Sequence, residues 1–470
     1  MRGFSQIPGP KSYPLIGNGL GYSAPGVGRD ASQSPRIWKH LNETYGPLVR
    51  LQLPRWAPTV LVFDPHVAEQ VYRHEGGCPN RPAFFALSEA KHRNMQPKSL
   101  QGVLTSNGED WRNFRRKIQK PLLKGKHTAA YVPLVMNISQ QFSEHISNIC
   151  NKDGAVENFS EEVYKWALES IASIVLETRL GCLEGEMESE ALVMIEMVQK
   201  ILQGSKALDS GLRLWEIFPS KEFDKFFSNY KTFTQTAHKY ITEASKRSPT
   251  CEKSLISDLG QSGCDQETIS VMAADLLFGG VDTTSHASIF ALYLLATNQE
   301  KQEKLAQEIS STSCLSSDLL TMSYLRAVMK ESLRMMPAAL GNIRQLNKPL
   351  VVKPVHTEHT YHLDPGTNYI LAHQTMARSK EWVKMPLLFK PERWIRGGLE
   401  QEEIHPFVSL PFGFGKRMCI GKKLSEMEMA SLIVEIVRRF RVGWTGGELQ
   451  IKSDTLIFPD GELPFTFNRR

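Results

Sequence analysis

The 470-residue sequence predicts a mainly α fold with a smaller β part, organised as one domain over residues 1–470. Three observations lead there. Residues 131–150, 159–180, 187–206 and 222–246 carry apolar side chains at helical spacing. Ile269–Asn298 is apolar on nearly every side, the mark of a helix that runs through the middle of a fold. Short β-like runs are confined to an early stretch before residue 63 and a later one at 350–372. No low-complexity run, internal repeat or long charged tract reads as a linker.

Residues 7–17, IPGPKSYPLIG, belong to a Pro-rich lead-in over residues 1–20 whose prolines exclude helix. Trp38–Tyr45 reads as a short helix, and Val49–Leu53 with Val60–Val62 as a hairpin-like pair of strands split by Pro54 and Pro58. Val67–His74 returns to helix, whereas 76–105 has few periodic positions and is expected to be a long irregular stretch. The next helix carries Trp111 and Arg115, four apart and therefore on one face. Between 187–206 and 222–246, the run GLRLWEIFPSKEFDKFFSNYKTF mixes Trp215, Phe218, Phe223, Phe226, Phe227, Tyr230 and Phe233 with lysines. A core helix accounts for Phe226, Tyr230 and Phe233. The aromatic and lysine mixture around Pro219 fits a peripheral membrane contact equally well.

The apolar segment Ile269–Asn298 is interrupted by Gly279-Gly280-Val281-Asp282-Thr283-Thr284. A glycine inside a helix costs about 1 kcal/mol relative to alanine, so two in succession need a reason. Helix packing accounts for the glycines but not for a carboxylate and hydroxyls beside them. A widened groove for a diatomic ligand, with Asp282 and Thr283 at hand, accounts for all of them. Tyr324–Met335 is a further helix, with Glu331 and Arg334 at i, i+3 and Arg326 and Lys330 at i, i+4. On an exposed face such a pair is worth about 0–1 kcal/mol and such charges are simply solvated.

Net charge is +6, and no basic cluster with stacking aromatics on a recognisable module points to nucleic acid. The excess suits an acidic protein partner or an anionic membrane surface. Seven scattered cysteines (78, 150, 182, 251, 264, 314, 419) without a C-x-x-C pair argue against a disulfide scaffold and a zinc site, and for a reducing compartment. No apolar run reaches the roughly 18 residues of a membrane span. No signal peptide or mitochondrial presequence is visible ahead of Ile7, and Met1 is read as belonging to a truncated or processed form.

The chemistry is concentrated in Pro411–Met429, PFGFGKRMCIGKKLSEMEM. Gly413, Gly415 and Gly421 bracket Cys419 and let the backbone approach a large planar ligand. A helix directly after Cys419 points its positive end at the sulfur and favours the thiolate. Phe412 is placed to pack under a flat ring, and Arg417 to reach an acidic substituent of it. A lone cysteine is ordinarily a small buried hydrophobe. The full string F-x-x-G-x-R-x-C-x-G, carried by Phe412, Gly415, Arg417, Cys419 and Gly421, is far more specific. It resembles the heme-thiolate loop (411–421) of the cytochrome P-450 superfamily.

The resemblance spans residues 7–465 and implies the P-450 prism fold, heme b (iron protoporphyrin IX) as cofactor and Cys419 as its axial ligand. The implied reaction inserts one atom of O2 into a C–H bond of an apolar small molecule. Trp111 and Arg115 match the family's propionate-binding helix, and Arg344 and Arg417 stand where it places further propionate ligands. Gly279 to Thr284 is similar to the oxygen-activation motif, which gives Asp282 and Thr283 the delivery of protons, partly through water. Phe278 precedes it where a small residue is common, implying a narrower pocket. Glu331, Arg334 and Arg393, the last within Pro391-Glu392-Arg393-Trp394, correspond to the Glu-Arg-Arg network that braces the cysteine loop. Implied substrate contacts are the 92–106 loop, Phe278, Ala338, Ala339, Leu340, Ile343, Leu456, Ile457 and Phe458.

Arg326, Lys330, Lys422 and Lys423 match the basic positions by which the mitochondrial clan binds an acidic ferredoxin of the adrenodoxin type. The strings C-x-G-K-K-x-x-E-x-E-M (Cys419–Met429) and F-K-P-E-R-W (Phe389–Trp394) resemble that clan too. A peripheral position on the matrix side of the mitochondrial inner membrane follows, with the endoplasmic reticulum as alternative. GLRLW and the helices around it resemble arthropod ecdysteroid-synthesis hydroxylases, implying a sterol or ecdysteroid-precursor substrate. A xenobiotic-oxidising mitochondrial enzyme, a heme-thiolate isomerase or dehydratase, and a heme-binding sensor stay open as alternatives.

Overall fold

The computed structural model describes the chain apart from residues 15, 19–20, 54, 95–100, 185–188, 211, 247–254 and 313–318. Its axis is the 32-residue helix Gln266–Thr297, hereafter the central helix. Asp265 caps it, accepting from the Thr268 N–H at 2.7 Å, which starts the helix ahead of the predicted Ile269. Helices Phe159–Val175, Lys221–Lys246, Ser323–Met335 and Lys422–Arg439 pack around it. With a neighbour on nearly every side, it needs no polar stripe.

The β part brings distant segments together. Leu48–Leu51 pairs antiparallel with Thr59–Val62, placing Leu48 opposite Val62. Thr59–Val62 runs parallel to Asn368–Leu371, and Asn342–Gln345 closes this four-stranded sheet. Of the predicted region 350–372, only Asn368–Leu371 joins it; Leu350–Val352 and Tyr361–Leu363 form a separate pair. Two further pairs, Phe440–Trp444 with Phe465–Arg469 and Gln450–Ser453 with Ile457–Asp460, end the chain.

The stretch 76–105 is not irregular throughout: it contains the helix Phe85–Asn94 and a short one, Gly102–Thr105. Polar Glu89, Lys91, His92 and Arg93 crowd the second half of Phe85–Asn94, so it shows no apolar stripe. Its support is tertiary. The Asp209 carboxylate accepts from the Phe85 and Ala86 N–H groups at 3.0 and 2.8 Å, serving as a cap from another helix. Lys91 is buried and donates to Asp275 of the central helix at 2.6 Å. The segment 159–180 stops being helical at Val175, because buried Glu169 accepts from the Leu180 and Cys182 N–H groups at 3.2 and 2.9 Å and folds the chain back.

Around Pro219 the two sequence readings divide by residue. Phe223, Phe226, Tyr230 and Phe233 are core side chains. Trp215 belongs with them rather than with a membrane face: it stacks on Phe223 at 4.7 Å and donates its Nε1–H to the Leu208 carbonyl at 2.7 Å. Leu214, Ile217 and Phe218 point outward, 53%, 59% and 62% exposed. Gly211, residues 187–188 of the predicted segment 187–206, Cys251 and Cys314 lie outside the described residues. Among the described residues no helix is long and apolar enough to cross a membrane.

Glu331 is fully buried and accepts five hydrogen bonds. Arg334 donates twice, at 2.9 and 2.8 Å, Arg393 Nε at 3.0 Å, the Trp394 indole at 2.8 Å and the Lys390 N–H at 3.1 Å. Both guanidiniums are buried with it. Removing one partner of a buried ion pair strands the other charge at a cost of about 3–5 kcal/mol. Glu331→Gln is therefore expected to lower the free energy of urea unfolding of the holoprotein by about that amount. A loss below about 1 kcal/mol, the worth of an exposed pair, would contradict the bracing role.

Candidate active site

Pro411–Gly421 is a tight loop ending at the N-terminus of Lys422–Arg439. Gly413 and Gly415 take φ of 70° and 75°, and a Cβ on Gly415 would lie 2.3 Å from Glu75 Oε1. Only glycine combines that turn with that approach. The Cys419 N–H donates to the Phe412 carbonyl at 2.8 Å, closing the loop under the cysteine. The accessible side of Cys419 opens into an inner cavity rather than to bulk water. Burial pushes its thiol up, opposed by the Gly421 N–H, Arg115, Arg81 and the Lys422 N–H.

The cavity lies between this loop and the central helix, with Trp111, Gly279, Thr283 and Phe412 on its walls. Three arginines face it: Arg81, Arg115 and Arg417. Arg115 Nη2 donates to the Met418 carbonyl at 2.9 Å, and Arg417 Nη2 to Asn107 Oδ1 at 3.0 Å. The Arg417 guanidinium also lies over the Trp111 ring at 4.5 Å. Arg81 Nε, Arg115 Nε and Arg417 Nε and Nη1 remain buried without a hydrogen-bond partner among the described residues. Burial, reinforced by Arg81 and Arg344, pushes Arg417 down to about 8; burial brings Arg81 and Arg115 to about 10. Such uncompensated cations call for an anionic ligand. A planar metal macrocycle with two carboxylates fits this wall: Cys419 for the metal, the arginines for the carboxylates, Phe412 and Trp111 against its apolar body.

On the central helix the two glycines have different neighbours. A Cβ on Gly280 would meet Ile171 at 3.0 Å, so Gly280 allows close helix packing. One on Gly279 would meet nothing within 4 Å; Gly279 widens the cavity. Thr283 Oγ1 donates to the Gly279 carbonyl at 2.6 Å and lies on the cavity wall. Asp282 faces away, buried toward helix Phe159–Val175, and burial pushes its carboxyl up to about 7. Glu428 is a second buried acid, pushed by burial up to about 8, and it lines the cavity with an oxygen 3.4 Å from Thr284 Oγ1. It stands in the string Cys419–Met429, yet spacing alone gave it no task.

Other predicted positions fall differently. Arg344 does not line the cavity: its Nε donates to Glu75 Oε2 at 2.6 Å, a counter-ion the motif does not contain. Arg81, from the stretch expected to be irregular, stands on the wall instead. Ala338, Ala339 and Leu456 line the cavity, while Leu340, Ile343, Ile457 and Phe458 do not. Ile457 is buried with its N–H on the Ala338 carbonyl at 2.8 Å, and Phe458 packs on His286. Of the 92–106 loop, Val103 and Leu104 reach the cavity and 95–100 lie outside the described residues. Phe278 lines a second cavity of about 710 Å³, edge-on to Phe233 at 5.8 Å. Asp275 borders both cavities, held by Lys91 at 2.6 Å and by the Val103 N–H at 2.8 Å.

On the opposite side of the loop, Arg326 and Lys330 are exposed. The Lys330 ammonium lies over the Trp394 ring at 3.9 Å; burial pushes it down first, and Arg326, Arg396 and Lys422 push it further. These four therefore share one cationic face, to which sequence spacing did not assign Arg396. Glu426 pairs with both lysines of the loop end, Lys423 at 3.0 Å and Lys422 at 3.8 Å.

Comparison with known proteins agrees with this geometry. The family model for cytochrome P450 matches residues 7–465. "Probable cytochrome P450 49a1" of Drosophila melanogaster is 31% identical, over 100% of this chain and 83% of its own length. "Probable cytochrome P450 301a1, mitochondrial" from the same organism is 31% identical over 99% and 87%. The "1,25-dihydroxyvitamin D(3) 24-hydroxylase, mitochondrial" of Rattus norvegicus is 26% identical over 100% and 90%. Among solved structures, the cytochrome P450DA heme domain superposes with a TM-score of 0.79 at 17% identity, covering 99% of this chain and 98% of that one. The chain belongs to the cytochrome P450 family, and is a monooxygenase that works with heme b.

Proposed function

We propose that this monooxygenase hydroxylates a sterol or ecdysteroid precursor, with electrons from an acidic ferredoxin, at the matrix face of the mitochondrial inner membrane. The observation that carries the site assignment is the row of unpartnered guanidinium nitrogens facing the cavity into which Cys419 opens. Cys419 holds the heme iron, Arg81, Arg115 and Arg417 hold the propionates, and Trp111 and Phe412 pack on the ring. Heme ligated by a thiolate supplies the activation of O2 and the transfer of one oxygen atom. The protein supplies binding, orientation and protons.

Thr283 has its hydroxyl proton engaged by the Gly279 carbonyl, so its oxygen presents lone pairs to the cavity and orders water there. Asp282, with a carboxyl held near 7, gives up and regains a proton at neutral pH. The second cavity, about 710 Å³, sets Leu87, Tyr230, Phe233, Ile241, Val271 and Phe278 beside polar Lys91, Glu267 and Asp275, which supports a bulky substrate with an apolar body that also carries polar groups. The name of the vitamin D(3) hydroxylase among the relatives points to the same class.

For the donor, the support is the shared face of Arg326, Lys330, Arg396 and Lys422. For the membrane, it is the outward Leu214, Ile217 and Phe218 beside exposed Lys221 and Lys225. Several relatives carry "mitochondrial" in their names.

Screening sterols for a shift of the ferric Soret band tests the substrate class. With a hit in hand, Thr283→Ala is expected to keep that shift but divert NADPH-derived electrons to peroxide. Unchanged product per NADPH would refute the proton role. Arg326→Glu with Arg396→Glu should raise the apparent KM for ferredoxin at least about tenfold and leave sterol affinity alone, since rim charges act on association. Turnover sustained by a diflavin reductase but not by ferredoxin would remove the mitochondrial assignment. Ile217→Ser with Phe218→Ser is expected to halve, roughly, co-sedimentation with anionic vesicles; equal sedimentation would exclude this patch as the contact.

A further inference from the structure

Behind the central helix lies a polar group the site does not use. His286 is one turn on from Asp282, on the same face, and both are 4% exposed. Asp282 Oδ1 and His286 Nδ1 are each buried without a hydrogen-bond partner among the described residues. His286 Nε2, by contrast, is 2.8 Å from the hydroxyl of Tyr164 on helix Phe159–Val175. The Tyr164 ring meets the imidazole edge-on at 5.8 Å, and Phe458 covers another side at 6.2 Å. Tyr164 is only half-buried, and its hydroxyl is next to the Gln199 side chain on Ser189–Asp209. Burial first, then the Asp282 charge, pushes the Tyr164 phenol up, so phenol and carboxylate sense one another through a low-dielectric space.

A buried polar atom left unpaired costs about 1–3 kcal/mol, and here two occur a turn apart. Residues at i and i+4 have Cβ atoms roughly 5–6 Å from each other. Two polar atoms so placed inside a protein are the setting in which an ordered water bridges. A Tyr–His hydrogen bond that merely tied two helices would leave Oδ1 unexplained and Nδ1 with no more than the weak pull of the Ile457 backbone, since apolar side chains would pack the same space without stranding them.

We propose that Tyr164 and His286 are the proton inlet that recharges Asp282 from the side of helix Ser189–Asp209. This rests on the reading of Asp282 as the proton store beside Thr283. The transfer balances. When Asp282 has released its proton toward the cavity, Oδ1 takes one from the bridging water and that water takes the Nδ1 proton. Nε2 then takes the Tyr164 hydroxyl proton, the hydroxyl is refilled from the side of half-buried Gln199, and a flip of the imidazole ring returns a protonated nitrogen to the Asp282 side for the next cycle. Only O–H and N–H bonds form and break, and no electron moves. Burial holds His286 neutral, against a smaller opposite pull from the Ile457 backbone, so the ring passes a proton in at one nitrogen and out at the other without storing charge.

The test follows the Asp282 carboxyl itself. At pH 6 the ferric holoenzyme should show an infrared C=O band that disappears in Asp282→Asn. The rate at which that band shifts after mixing into D2O reports proton delivery from solvent. His286→Phe is expected to slow it about a hundredfold, the lower end of what a positioned proton donor contributes. His286→Gln, which keeps a hydrogen-bonding group for Tyr164 but passes no proton, should do the same and guards against a packing effect. Tyr164→Phe should slow it partway. Exchange at the wild-type rate in both His286 variants overturns the inlet alone. If Asp282→Asn removes no band, the reading of Asp282 as a proton store falls instead.

Discussion

One carboxylate sets the register of the half of the molecule that carries the cysteine loop. Glu331 has no water to turn to, and neither do Arg334 and Arg393. Desolvating three charges is repaid only when every donor is in place. The arrangement is therefore all-or-none. It fastens helix Ser323–Met335 to the segment around Trp394, and Arg334 carries the tie onward to the Ala377 carbonyl at 2.6 Å. The chain leaves this knot at Trp394 and reaches the cysteine loop at Pro411, so the loop starts from a fixed point.

The cavity wall shows the opposite electrostatic condition. Arg81, Arg115 and Arg417 face it and Arg344 stands behind; Glu75 is set against Arg344 and Arg417, and Asp275 against Arg81. Glu75 is itself strained: burial pushes its carboxyl up despite Arg344 and Arg417. A protein that buries cations short of counter-ions is stabilised by whatever anion completes the set, by mass action. The fold is in that sense unfinished without its cofactor, and the same guanidiniums that destabilise the bare chain are the ones proposed above to hold the propionates.

What local spacing encodes is legible in the string. Cys419 with its glycines, Thr283 beside Gly279, and Glu331 with Arg334 are each set by a few neighbouring residues, and the structure brings each of these groups together. What sequence reading missed depends on pairings across the chain. Arg344 finds Glu75, 269 positions away, and so leaves the wall to Arg81. Helix Phe85–Asn94 is held by Asp209 and Asp275, neither of which any period within it reveals. At the C-terminal hairpin the sequence marks Leu456, Ile457 and Phe458 together, yet only Leu456, in the turn before the strand, lines the cavity; Ile457 is core and Phe458 packs on His286, a division made by tertiary neighbours. Trp215 and Phe218 divide for a similar reason, one packed on Phe223 and the other turned outward.

Two buried acids flank the hydroxyls of Thr283 and Thr284, and burial is the first cause of both shifts. Asp282 is held near 7 from the side of Tyr164, Glu428 near 8 from the side of the cysteine helix. An unfolded chain ionises the same groups near 4. In the folded chain each keeps its proton until the pH approaches the raised value, so the fold binds more protons than the unfolded chain between those limits. Stability contributed by the two acids is thus complete below about pH 4 and is lost as pH rises through 7 and then 8. In the proposed role of Asp282 as proton store, that loss has a purpose. A carboxyl that is cheap to ionise would already have given its proton to bulk water at neutral pH, and would have nothing to deliver when the cavity demands it. Burial withholds the proton from solvent and leaves Thr283 on the cavity side, so the cost to stability and the capacity to donate are one physical fact.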